Sequence, residues 1–220
     1  MRLYSYVVID DNGFAPNPFF EFCTLATDKP KIRRQAREED WIIGTTGSSR
    51  HVESTLVFVM RVSEIVTFEQ YWNDGRFQEK KPNLLGSNIE RVGDNIYRKE
   101  EDGKWKQHPS LHSLYDGCPN LFHQRRDTKV NRVLIGSRFS YWGANGPTVP
   151  EDIRYFKKFG IKFDLFMHGP GHKSRFPKEM IDNFVVWFDN SRETGFLANP
   201  KIWARYEWKH QIIVPGHHHH

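Results

Sequence analysis

The chain has 220 residues, with 32 Lys and Arg against 27 Asp and Glu for a formal net charge of +5, and aromatic residues make up 15% of it within a hydrophobic total of 38%. That length suffices for one sizeable core, and no apolar run approaches the ~20 residues that span a bilayer, so a helical membrane protein is excluded and a soluble, cytoplasmic one is expected. The positive excess admits a polyanionic partner without requiring one.

Arg2 to Asp10 alternates apolar and polar residues and reads as a first strand, with no apolar leader or small-residue cleavage site. The stretch that follows, "DNGFAPNPFFEF", is broken by Gly13, Pro16 and Pro18 and reads as an irregular loop, after which Lys31 to Glu39 is helix-permissive. "WIIGTT" (Trp41 to Thr46) is a compact second strand, and Gly47 to Glu53 a turn. Thr55 to Phe68 is a long apolar strand leading into a short helix over Glu69 to Asp74. Residues 78–131 are polar and glycine-punctuated, an irregular insertion with one hairpin at Asp102-Gly103. Arg132 to Gly143 restores a strand, and a short helix is expected over Pro150 to Phe159. From Pro177 the apolar residues Ile181, Phe184, Val185 and Phe188 recur at helical spacing up to Gly195. Cys23 and Cys118 read as free thiols, and the terminal "GHHHH" as a tag remnant over 217–220, behind one domain over 1–216. Short strands and separate short helices without regular β-α-β alternation give an α+β fold built on a small antiparallel or mixed barrel.

The strings "LYSYVVIDDNGFAPNPF", "CTLATDKPKIRRQAREEDWIIGTTG" and "LVFVMRVSEIVTFEQYWND", continued by "VGDNIYR" and "VLIGSRFSYWG", resemble the nucleotide modification associated domain 2 family over most of the chain. The order of strand, loop, helix, "EEDWIIG" and "VFVMRVSEI" is also similar to the wider PUA-like superfamily, with its EVE and ASCH domains. The resemblance implies a PUA-like small mixed β-barrel with short flanking helices, associated with modified bases in DNA or RNA. It supplies no catalytic residues.

A reader of modified bases needs flat apolar faces and fixed hydrogen-bonding groups for the base edge. Phe14, Asn17, Thr45, Tyr141 and Trp142 are the right types for such a pocket, and plugging the barrel ends is the competing use of the aromatics. Of the other phenylalanines in the opening loop, Phe20 and Phe22 are expected in the core. Phosphate contacts are expected from Lys31, Arg33, Arg34, Ser49 and Arg50, with Lys29 and Arg37 on the same rim and "RRDTK" (125–129) and "HGPGHKSR" (168–175) as further basic candidates. Each basic set has a solvated surface as its alternative. No cofactor motif is present and no metal is expected. His108, His112, Cys118 and His123 are zinc-ligand types, but Pro109 interrupts the helix that would align them. Nucleophile-elbow and metalloprotease motifs are absent, which leaves acid/base types such as Asp10, Asp11, Glu21, Lys29, Glu64 and His112 dispersed along the chain. The expectation is a nucleic-acid-associated module that recognises a modified or extruded base, with a hydrolase acting on a modified nucleoside and a protein-interaction module as alternatives.

Overall fold

A computed structural model describes residues 1–47, 54–191 and 193–203. In chain order the elements are β1 (Leu3–Val7), β2 (Cys23–Leu25), α1 (Pro30–Gln35), β3 (Trp41–Thr45), β4 (Leu56–Arg61), β5 (Glu64–Val66), α2 (Phe68–Asn73), α3 (Asn88–Arg91), β6 (Tyr97–Lys99) and β7 (Trp105–Gln107). They continue through α4 (Leu121–Thr128), β8 (Val133–Gly136), β9 (Arg138–Tyr141), α5 (Glu151–Arg154), β10 (Tyr155–Lys158), β11 (Ile161–Asp164), α6 (Lys178–Ser191) and β12 (Gly195–Phe196). Among the described residues no helix is long and apolar enough to cross a membrane.

A five-stranded mixed sheet runs β1-β3-β4-β9-β12, with β1 parallel to β3 and β12 parallel to β9. Both of its faces are buried, and the strands obey the period of two. Leu3, Trp41, Ile43 and Val59 point into a core with Met180, Ile181, Phe184 and Phe188 of α6. Tyr4, Tyr6, Ile42, Phe58 and Met60 point the other way, onto Ile32 of α1 and onto Cys23, Leu25 and Leu134 of a three-stranded sheet, β2-β8-β5. Gly44 makes that second core possible, because a Cβ there would stand 2.3 Å from the Phe58 ring.

The two sheets meet at a corner instead of closing a barrel. The apolar run expected as one strand splits into β4 and β5 at Val62 and Ser63, and its partner splits into β8 and β9 at Ser137. Ser63 holds the corner: its N–H and Oγ donate to Ile135 O at 2.8 and 3.0 Å, and its Oγ accepts from Ser137 N at 3.1 Å. Among the described residues no sheet closes on itself, so the expected barrel is corrected to two open sheets sharing bent strands.

Three further expectations change. Between the opening loop and the first helix there is a further strand, β2, which pairs with β8 and is tied back to the loop by a bridge from Thr24 to Asn17. The helix expected from Pro150 ends at Arg154, and Tyr155 onward forms the β10-β11 hairpin, whose two-residue turn, Phe159-Gly160, has φ of 50° and 76°, the geometry suited to tight hairpins. The insertion is ordered, containing α3, the expected hairpin at Asp102-Gly103 and α4. It packs Tyr97, Ile96, Val92 and Leu111 against Phe68, Tyr71 and Val133 in a third core.

Candidate active site

Helix α4 begins where the Asn120 side chain accepts from Phe122 N and His123 N, and its face carries His123, Arg126 and Asp127 at i, i+3 and i+4. Asp127 is fully buried, and its carboxylate accepts from Asp28 N (3.1 Å), Tyr97 Oη (2.9 Å), Arg126 Nε (3.3 Å) and His112 Nδ1 (2.7 Å). Burial alone would raise its pKa, but the His112 hydrogen bond, the His112 charge and the nearby Arg126 and Arg33 outweigh it and hold Asp127 at about 2. An ionised carboxylate can only accept, so Nδ1 of His112 carries a proton toward Asp127 and Nε2 is the ring nitrogen left for other partners. That nitrogen lies 3.8 Å from Asp28 Oδ2.

Asp28 and Lys29 stand opposite, in the turn from β2 to α1, and both have left-handed backbones, with φ of 54° and 41°. Two consecutive non-glycine residues in that region are strained and must be held by their surroundings. Arg33 does this. Its Nε donates to Asp28 O at 2.9 Å, one terminal nitrogen donates to Val130 O and Arg132 O at 2.8 Å each, and the other donates to Asp127 O at 2.7 Å. The guanidinium therefore joins the Asp28 turn to the carbonyl end of α4, where a cation is favoured. Burial pulls its pKa down to about 10, which still leaves it charged at neutral pH.

Between these walls is a cavity of about 290 Å³. Tyr6, Val8 and Ala15 provide an apolar floor with exposed Ile9 at the rim, and Asp28, Lys29, His112, His123 and Arg126 the polar wall. Arg126 reaches Asp28 Oδ1 at 2.5 Å, and Lys29 Nζ sits 4.5 Å from the centre of the Tyr6 ring. Burial lowers the Lys29 pKa against the opposing pull of Asp28. His123 packs against His112 with ring centres 4.3 Å apart and planes tilted by 40°, and its Nδ1 faces Arg126 at 2.9 Å. An arginine only donates, so that nitrogen is an acceptor. Burial first, then the His112 and Arg126 charges, lower the His123 pKa to about 4.

The His123 shift fixes a pH dependence of stability. Between the ordinary histidine pKa of 6.5 and the folded value of about 4, the unfolded chain binds a proton that the folded chain refuses. Acidification through that window is therefore expected to destabilise the protein, and His123→Gln to flatten that part of the profile in urea titrations at stepped pH. An unchanged slope in the variant would show that His123 is not the titrating group.

The residues expected to stack and read a base do not line one cavity. Phe14 is buried behind His112, edge to face with ring centres 4.7 Å apart, so it supports the imidazole. Asn17 is fully buried, with its amide donating to Gly13 O and Val92 O and its Oδ1 accepting from Lys80 Nζ at 2.6 Å. Thr45 is buried with its hydroxyl toward Tyr6 O. Tyr141 donates to Asp11, which also accepts from Lys201 N and so anchors the segment after β12. Trp142 packs against Phe188 and donates to Glu193. The prolines and glycine of the opening loop therefore fold its polar and aromatic side chains inward. Phe20 and Phe22 are partly buried against the third core.

Of the expected phosphate contacts, Lys31 and Arg34 are exposed, Arg33 is fully buried in its structural role, and Ser49 and Arg50 lie outside the described residues, as does most of the turn over 47–53. The four zinc-ligand types do not converge. His112 and His123 meet, but His108 packs near Trp72, Cys118 is exposed, and among the described residues no group of three or more His, Cys, Asp or Glu is arranged to hold a metal.

Lys80 pins the opening loop. It is fully buried and donates to Asn17 O, Asn17 Oδ1 and Phe22 O, beside Asp94, whose carboxylate accepts from Thr24 and Tyr71. Lys80→Met removes the donor to Asn17 Oδ1 and Phe22 O, although Asn17 O keeps Thr24 N, and takes the positive charge from beside Asp94; it is expected to lower stability by about 3 kcal/mol, read as a lower urea midpoint. A loss below about 1 kcal/mol would show that the loop holds itself.

Sequence reasoning had His112, His123, Lys29 and Asp10 among its candidates but not as a group, and it missed Asp28 and Asp127 altogether. The i, i+3, i+4 spacing of His123, Arg126 and Asp127 was the available signal.

The family model described as nucleotide modification associated domain 2 matches residues 1–207. No curated protein and no solved structure matches the chain.

Proposed function

We propose that this chain, which belongs to the nucleotide modification associated domain 2 family, is a hydrolase acting on a modified nucleotide, with His112 as general base. The observation that carries this reading is the buried Asp127-His112 pair, with Nε2 on the side of Asp28 and both His112 and Asp28 lining a small cavity. In this reading Nε2 takes a proton from water as it attacks the modified group, and Asp127 stabilises the imidazolium that forms. Lys29 and Arg126 face negative charge developing on the substrate, and Lys29 is the group suited to return a proton to the leaving atom. The apolar floor of Tyr6, Val8 and Ala15 receives the base, and at about 290 Å³ the cavity is at the small end of ligand sites, suited to a single nucleoside unit.

Recognition of a modified or extruded base belongs to the same reading, since chemistry on a base requires it unstacked in a pocket. The PUA-like kinship also belongs to it, resting on the order of β1, loop, α1, β3 and β4. The test is incubation of the protein with a panel of base-modified deoxynucleoside monophosphates and oligonucleotides, read by mass spectrometry. A mass change in one class of modification is expected. Tight binding of a modified base with no change in mass would make the module a reader, and neither result in any class would remove the nucleotide reading.

A further inference from the structure

A second concavity, of about 690 Å³, is lined by Arg2, Arg34, Arg37, Arg132 and Arg175. It lies between the start of β1, the end of α1, the residue before β8 and the strap that follows β11. Its construction is specific. Asp40 is buried and uses its two carboxylate oxygens on the main-chain N–H groups of Arg2 (2.7 Å) and Arg37 (3.0 Å), which fixes both arginines at the rim. The strap is held by reciprocal bonds between Ser5 and Lys173, each 2.9 Å, placing Arg175 on the opposite side. Arg132 donates to Ala36 O at 2.6 Å, and its Nε is buried with no hydrogen-bond partner.

Among the described residues none of these five side chains has an ion-pair partner, whereas Arg61, Arg76, Arg126, Arg138 and Arg154 each face a carboxylate. Five guanidiniums without an ion-pair partner in one concave surface, against the one buried carboxylate of Asp40, attract a chain of anions. The groove and the His112 cavity share helix α1: Lys29 of the cavity wall precedes its first turn, Arg34 and Arg37 of the groove stand at its other end, and exposed Lys31 lies between them.

We infer that this arginine groove binds the phosphate backbone of a single-stranded polynucleotide and leads one of its nucleotides into the His112 cavity. The inference rests on the nucleotide reading of that cavity and adds that the substrate is a polymer, not a free nucleotide. A polynucleotide fits better than an anionic membrane because the surface is concave, lacks the apolar side chains that anchor a protein in lipid, and shares helix α1 with a site sized for one nucleoside.

The test is fluorescence anisotropy with a fluorescein-labelled, unmodified single-stranded oligodeoxynucleotide of about 12 nucleotides, over a series of salt concentrations. Five phosphate contacts predict that log affinity falls with log salt at a slope of about 3.5. The triple variant Arg34→Gln, Arg37→Gln, Arg175→Gln is expected to reduce the slope by about 2 and to weaken binding on the order of a hundredfold at low salt. Lys104→Gln with Lys106→Gln on the β6-β7 hairpin also removes positive charge and is expected to change little. Equal losses in the two variants, or unchanged binding in the triple variant with its unfolding midpoint preserved, would overturn the groove. So would binding to phosphatidylserine vesicles but not to the oligonucleotide. Binding here needs no turnover, so groove binding without any mass change removes the catalytic reading alone. Turnover of free nucleotides without oligonucleotide binding removes the groove alone.

Discussion

Replacing His112 by Asn is expected to lower turnover of the modified nucleotide by between about 10² and 10⁴-fold while leaving substrate binding within a few-fold. An amide of similar size fills the space against Phe14 and His123 but has no basic nitrogen to turn toward the cavity. Asp127→Asn separates the catalytic role from the shape of the site more sharply. The Asn side chain can offer its amide hydrogens to His112 Nδ1, which inverts the tautomer and places the proton on Nε2, where the base is needed. A loss similar to that of His112→Asn is expected in kcat, with additional loss of stability, because Asp28 N, Tyr97 Oη and Arg126 Nε also lose a charged acceptor. A merely structural Asp127 would lower stability and leave kcat per folded molecule unchanged. That outcome, or full activity in His112→Asn, would sink the general-base assignment.

Much of the frame is legible in the sequence because it follows from local periodicity. Ile181, Phe184, Val185 and Phe188 mark α6, and all four contribute to one core. "WIIG" and "TLVFVM" read as buried strands and become β3 and β4, and Asp102-Gly103 marks the hairpin. The corner is less legible, because Ser63 and Ser137 interrupt strands whose apolar character continues on both sides. The site is the least legible part. Asp28, His112 and Asp127 belong to segments joined only by tertiary packing, and a single aspartate in "RRDT" has the same local appearance as a solvated one. The aromatic residues mislead for a related reason. Phe14, Tyr141 and Trp142 are of the types used for stacking on bases, but residue type does not tell a ring facing a ligand from a ring packed behind a catalytic side chain. Arg33 misleads similarly: among five basic residues between Lys29 and Arg37 it is the one that points inward, because the carbonyls of Asp127 and Val130 at the end of α4 lie beneath it.

Arg33 carries the largest expected effect on stability. Arg33→Met keeps the length and apolar stem of the side chain but withdraws donors from the carbonyls of Asp28, Asp127, Val130 and Arg132. Val130 O keeps the N–H of Arg132, so the loss falls on Asp127 O and on the part-buried Asp28 O and Arg132 O; at roughly 1 to 3 kcal/mol for each unmade acceptor before relaxation, a total near 4 kcal/mol is expected. Against the ~5 to 15 kcal/mol of a typical domain that is a large fraction of the stability. Arg33→Lys should recover only part of it, since an ammonium cannot reproduce a planar fork that reaches four carbonyls in different directions. The loss should also reach the chemistry. Asp28 and Lys29 adopt left-handed backbones only while their turn is held against α4, so releasing Asp28 O lets both relax toward ordinary φ and carries Asp28 and Lys29 away from His112. Activity of Arg33→Lys, measured well below its unfolding midpoint, is therefore expected to fall at least tenfold. If Arg33→Lys is destabilised but fully active when folded, the strained turn is not what positions the cavity wall, and Arg33 is a purely structural tie between α1 and α4.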